Sequence, residues 1–109
     1  KERFLQLKNV ITLIENEYQN PLTLEDLSKA SGMSPKYFCR FFHEMINKTP
    51  IEYLNYYRIE ISCEKLIATE LSITEIALNC GFNDVSYFIK TFKKHKGLTP
   101  KQYLKSLKA

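Results

Sequence analysis

Glycine and proline are scarce, with three and four copies in 109 residues. So few turn signals exclude an all-β domain of many short strands and favour an all-helical chain. The cysteines Cys39, Cys63 and Cys80 are odd in number and widely spaced, with no CxxC pair and no clustered histidines. That pattern encodes neither a disulfide framework nor a zinc site, and it predicts reduced thiols in a cytosol. Apolar runs last only a few residues, and no charged-then-apolar leader precedes a cleavage site. The reading is of a soluble, unsecreted, cytoplasmic chain with no membrane partner. Also lacking are a Gly-rich phosphate loop, HExxH, GxSxG and a paired-acid motif, so no enzyme, catalytic residue, metal or cofactor is expected. The length fits one domain or two very small ones.

Acid is missing from one end. Lys90, Lys93, Lys94, Lys96, Lys101, Lys105 and Lys108 follow one another from residue 90 onward without a single Asp or Glu. The net charge of +4 arises wholly in residues 55–109, because residues 1–54 balance seven basic against seven acidic side chains. A polyanion is the partner such a run suits, and a merely solvated helix face is the alternative.

What is present is an internal repeat. LTLEDLSKASGMSPKYFCRFFHEMINKTPIEYL, from Leu22 to Leu54, returns as LSITEIALNCGFNDVSYFIKTFKKHKGLTPKQYL from Leu71 to Leu104. Gly32 matches Gly81 at an offset of 49, whereas Phe42/Phe92, Pro50/Pro100 and Leu54/Leu104 match at 50. The second copy therefore carries one extra residue just after its glycine, where a turn tolerates it. Thr49 with Glu52, Ser72 with Glu75 and Thr99 with Gln102 have capping-box spacing; Thr23 with Asp26 is a weaker version, and Ser34-Pro35 opens another helix. Seven helices are predicted, at about residues 2–18, 23–31, 34–46, 50–68, 72–80, 84–96 and 100–107. Phe4, Leu7, Ile11 and Ile14 give the first an apolar face. The organisation is a first helix-turn-helix subdomain at 1–49, a linker helix at 50–68 and a second subdomain at 69–109.

A helix-turn-helix needs a glycine-like turn residue and a small residue where its helices cross. Gly32 with Ser28, and Gly81 with Ala77, supply these. At about 100° per residue, Lys36, Cys39, Arg40 and His43 share one stripe of the second helix, opposite Phe38, Phe42 and Met45. In the second copy Ser86, Ile89, Lys90 and Lys93 take the equivalent stripe, with Phe88 and Phe92 inward. Such a stripe fits the DNA major groove, where Arg40 and Lys90 would donate to guanine O6 and N7. Lys36 and Ser86, one turn earlier, also reach base edges, and Val85 could touch a thymine methyl. Phosphate candidates are Ser34, His43, Lys93, Lys94 and Lys96, together with the helix starts at Thr23 and Ser72. For Lys94 and Lys96 a favourable interaction with the helix dipole is the alternative. A 19-residue linker would span roughly 28 Å, against about 34 Å between successive major-groove faces. Two dissimilar boxes about one helical turn apart are thus the expected site on double-stranded DNA.

The stretch from Ile76 to Leu104 closely resembles the signature of the AraC/XylS family of bacterial transcription regulators. It shows I-A-x-x-x-G-F, then S-Y-F-x-[KR]-x-F-[KR]-[KR], then G-x-[ST]-P-x-x-Y. The first repeat looks like that family's less regular copy, and residues 53–66 resemble its linker helix, with Arg58 in place. The resemblance implies a seven-helix DNA-binding domain that acts as a promoter-bound activator or repressor, with RNA polymerase as a further partner. It also implies base reading at Lys36, Cys39 and Arg40, and at Val85, Ser86, Ile89 and Lys90. Cys39 and Ile89 depart from the usual polar choices, leaving thymine-methyl contact or space filling. Arg58 is read as structural, as an ion-pairing residue. A start in a helix without methionine is what a domain cut from a longer regulator would show, its missing N-terminal part being a sensor or a receiver domain.

A helical protein-interaction module with a basic surface is the competing reading, built on 13% aromatic residues. Most of those aromatics recur on inward faces; Tyr53, Tyr56 and Tyr57 cannot all do so. RNA binding would use the same stripe, but A-form RNA hides its major groove from a helix.

Overall fold

The computed structural model describes residues 2–108, and among them every regular element is a helix. These are α1 (Glu2–Glu17), α2 (Leu24–Ser31), α3 (Pro35–Ile46), α4 (Pro50–Ala68), α5 (Ile73–Asn79), α6 (Val85–Lys96) and α7 (Pro100–Leu107). The chain divides into two compact units, residues 1–57 and 58–109, so the division falls inside α4 rather than at either of its ends.

Each unit has its own core. In the first, Val10 and Ile14 of α1 and Leu27 of α2 pack with Phe38, Phe41 and Phe42 of α3 and with Leu54 of α4. In the second, Ile59, Cys63 and Leu66 of α4 and Ile76 and Ala77 of α5 pack with Phe88 and Phe92 of α6. Val10/Ile59 and Ile14/Cys63 stand at the same offset of 49 as the two turn glycines. The duplication therefore extends upstream of Leu22: α1 is the counterpart of the second half of α4, and each unit is a four-helix repeat.

Two expected core residues lie elsewhere. Phe4 is 68% exposed, because it sits in the first turn of α1, ahead of the Val10 and Ile14 turns that reach the core. Met45, in the last turn of α3, is 40% exposed, and Phe41 takes the inward place instead, with the Arg3 guanidinium 5.3 Å from its ring centroid.

Both turns have the same hydrogen-bond architecture. Gly32 (φ 77°) donates to Lys29 O at 3.1 Å, while Met33 N–H reaches Ser28 O at 3.3 Å. Gly81 (φ 96°) donates to Leu78 O at 3.1 Å, and Phe82 N–H to Ala77 O at 3.0 Å. These are two Schellman closures, with the apolar Met33 and Phe82 following the left-handed glycine. Ser28 and Ala77 are buried at the crossings. The extra residue of the second copy falls between Phe82 and the cap Asp84, which accounts for the change of offset.

Four capping boxes form, at Thr23/Asp26, Thr49/Glu52, Ser72/Glu75 and Thr99/Gln102, so the Thr23 version is complete. Ser34 makes no side-chain capping bond and α3 opens on Pro35, whereas α6 is capped by Asp84, whose carboxylate accepts from Ser86 N–H at 2.9 Å.

Candidate nucleic-acid interface

The burial of Phe38, Phe41 and Phe42 fixes which side of α3 faces out. Lys36, Arg40 and His43 stand exposed on it, with Cys39 half-buried between them. In α6, Phe88, Thr91 and Phe92 face inward, and Ser86, Lys90, Lys93 and Lys94 are exposed. Each helix thus carries an i, i+4, i+7 polar stripe at matching positions. Val85 and Ile89 are half-buried and pack against the core of their unit, leaving only part of each at the edge of the stripe.

The two stripes differ in charge. Where α6 has Lys94, α3 has Glu44, which accepts from the Arg3 guanidinium at 3.2 Å. Where α6 has Lys93, α3 has His43. Lys96 points its ammonium at Glu60 of α4, 2.5 Å away, and that hydrogen bond holds its proton more firmly than usual. It ties the end of α6 to α4. The starts of α2 and α5 already hold carboxylates: Thr23 N–H donates to Asp26 at 2.9 Å and Ser72 N–H to Glu75 at 3.0 Å. Those bonds keep both carboxyls below their ordinary range. An approaching phosphate meets these anions as well as the remaining amide donors.

Arg58 is buried, its guanidinium 5.8 Å from the Phe82 ring centroid, and burial pushes it below its ordinary value. Cation–π packing under the second turn gives it a structural place. Tyr53 and Tyr57 pack against the first core, while Tyr56 is 37% exposed beneath the Lys48 ammonium. Tyr37 of α3 and Tyr87 of α6 are also exposed, one residue after Lys36 and Ser86, and no charge or cap marks them in the sequence. Identity at an offset of 50 was the available signal. Among the described residues no group of three or more His, Cys, Asp or Glu could hold a metal ion, and no helix is long and apolar enough to cross a membrane.

Residues 27–106 match the family model described as a helix-turn-helix domain. Over 100 residues the chain is 39% identical to the uncharacterized HTH-type transcriptional regulator YdeC of Bacillus subtilis, covering 92% of this chain and 34% of that protein. It spans about a third of the length of the first curated relatives it matches. Among solved structures, the C-terminal domain of the two-component response regulator yesN from Fusobacterium nucleatum is 38% identical, with a TM-score of 0.81 over 87% of this chain and 93% of that one. A transcriptional regulator from Chromobacterium violaceum, described as AraC-type DNA-binding domain-containing, is 27% identical with a TM-score of 0.85, covering 93% and 90%.

Proposed function

This chain belongs to the AraC/XylS family of helix-turn-helix DNA-binding domains of transcription regulators, and we propose that it reads promoter DNA by placing α3 and α6 in successive major-groove segments. The observation that carries this reading is the duplicated stripe, with Lys36, Arg40 and His43 exposed on α3 beside half-buried Cys39, and Ser86, Lys90 and Lys93 exposed on α6 beside half-buried Ile89. Arg40 and Lys90 donate to guanine edges; Lys36 and Ser86, one turn earlier, reach neighbouring bases. The exposed edges of Cys39, Val85 and Ile89 meet thymine methyls. Ser34, His43, Lys93 and Lys94 contact phosphates, as do the amides at the starts of α2 and α5 beside Thr23 and Ser72. Lys96 joins them only by exchanging Glu60 for a phosphate.

Because the units are repeats and not a symmetric pair, the site is two unlike boxes about one helical turn apart. The longer regulator carries a sensor or receiver domain in its remaining length, works in the bacterial cytoplasm and contacts RNA polymerase from the promoter. Fluorescence anisotropy of the chain on duplex DNA across a salt series tests the reading. Affinity falls linearly in log–log form as counterions are released, and duplex RNA binds more weakly. Salt-independent binding, or equal binding to both duplexes, overturns it.

A further inference from the structure

In the first unit Tyr18, just past α1, and Tyr57, in α4, close on each other edge to face, with ring centroids 5.5 Å apart. The matching positions of the second unit are Ile67, at the offset of 49 that relates Val10 to Ile59, and Leu107, at the offset of 50 that relates Leu54 to Leu104. Neither is aromatic, and they are 62% and 51% exposed. Where the first unit has a lid of two rings, the second has an open groove of about 310 Å³ walled by Leu66, Ile67, Leu71, Leu104 and Leu107. Leu104 is only half-buried there, whereas its counterpart Leu54 is covered.

The groove itself is lined by one acid and one base, Glu70 and Lys108, and the helix beside it, α7, is basic. Lys101 and Lys105 of α7 and its C-cap Lys108 are exposed at i, i+4 and i+7 with no acid on the helix, and of the three Lys108 lines the groove. Glu70 lies on the other lip. None of these residues belongs to the DNA-reading stripes. We propose that this groove docks a short acidic segment of a partner protein, anchored by an aromatic side chain that fills the space closed by Tyr18 and Tyr57 in the first unit. An apolar anchor in a pocket supplies affinity, and carboxylates facing α7 fix orientation and speed encounter.

The test is an amide NMR titration of the chain with a synthetic peptide of ~12 residues, made of Asp, Glu and Ala around one Phe. Shifts are expected at residues 66–71 and 104–108. Binding should weaken about ten-fold or more when the peptide's Phe becomes Ala, when Ile67→Tyr and Leu107→Tyr rebuild the lid, or when Lys105→Glu and Lys108→Glu reverse the rim. The lidded variant should keep its DNA affinity. If circular dichroism shows that this variant does not fold, the two exposed lysine reversals and the peptide change decide alone. Absent shifts, shifts confined to α3 and α6, or binding indifferent to lid and rim would overturn the proposal. So would sedimentation showing that two copies of the chain pair through the groove.

Discussion

In the proposed reading base preference turns on Arg40 and Lys90, each the long cation at the centre of its exposed stripe. Arg40→Ala and Lys90→Ala should each cost roughly 1–3 kcal/mol of DNA affinity and relax preference in one box, while Lys94→Ala should weaken all sequences alike and reduce the salt slope by about one. Anisotropy on paired cognate and scrambled duplexes separates the two behaviours. The thiols give a second test. Burial pushes the Cys63 thiol up and the Cys80 thiol up to about 11, and both lie in the second core. At neutral pH a thiol reagent should therefore modify half-buried Cys39 first, with Cys63 and Cys80 reacting only at the rate of unfolding. Arg40 and Lys90 were legible as exposed cations because their phenylalanine neighbours set the phase of the helix. The Lys96–Glu60 bond was not, since its partners lie 36 positions apart and no local pattern links them.

At the level of single elements, caps and turns carry much of the specification. Gly32 holds φ at 77°, and a methyl group added at its Cα would meet nothing within 4 Å, so Gly32→Ala brings backbone strain and no clash. It should cost about 1–2 kcal/mol, read as a lower urea midpoint at unchanged slope. The capping carboxylates predict an acid limb. Asp26 and Glu75 are held below their ordinary values of 3.8 and 4.5 by hydrogen bonds from Thr23 and Ser72. Depressed folded values mean that this stabilisation is complete above the ordinary values and is lost as pH falls through the folded ones. Thermal melts from about pH 7 to about pH 2 should show that loss, and Asp26→Asn with Glu75→Gln should flatten it. Helix starts were readable because caps are local, within three residues. The kinship of α1 with the second half of α4 was hidden, because the core pairs share only apolar character and Glu15/Glu64 is the lone identity between them at that offset.

For the whole molecule, the two units bring unequal charge: α6 carries Lys90, Lys93, Lys94 and Lys96, whereas α3 sets Glu44 against Lys36 and Arg40. Inserting about five base pairs between the boxes turns one of them by about half a helical turn and should reduce binding to that of a single unit. Footprints of the chain on the two templates check this; full two-box protection on the lengthened template would refute the paired reading.

By itself the sequence determined the seven helices, the duplicated turn and the face that each recognition helix leaves open. All of these follow from caps, left-handed glycines and apolar spacing within a few residues. Only the tertiary structure decided that Phe41 and not Met45 enters the core, that Lys96 is tied to Glu60, that Val85 and Ile89 lean on their core, and that Ile67 and Leu107 flank an open groove. Those outcomes depend on which side chains from distant parts of the chain compete for the same space, and periodicity along one helix carries no record of that competition.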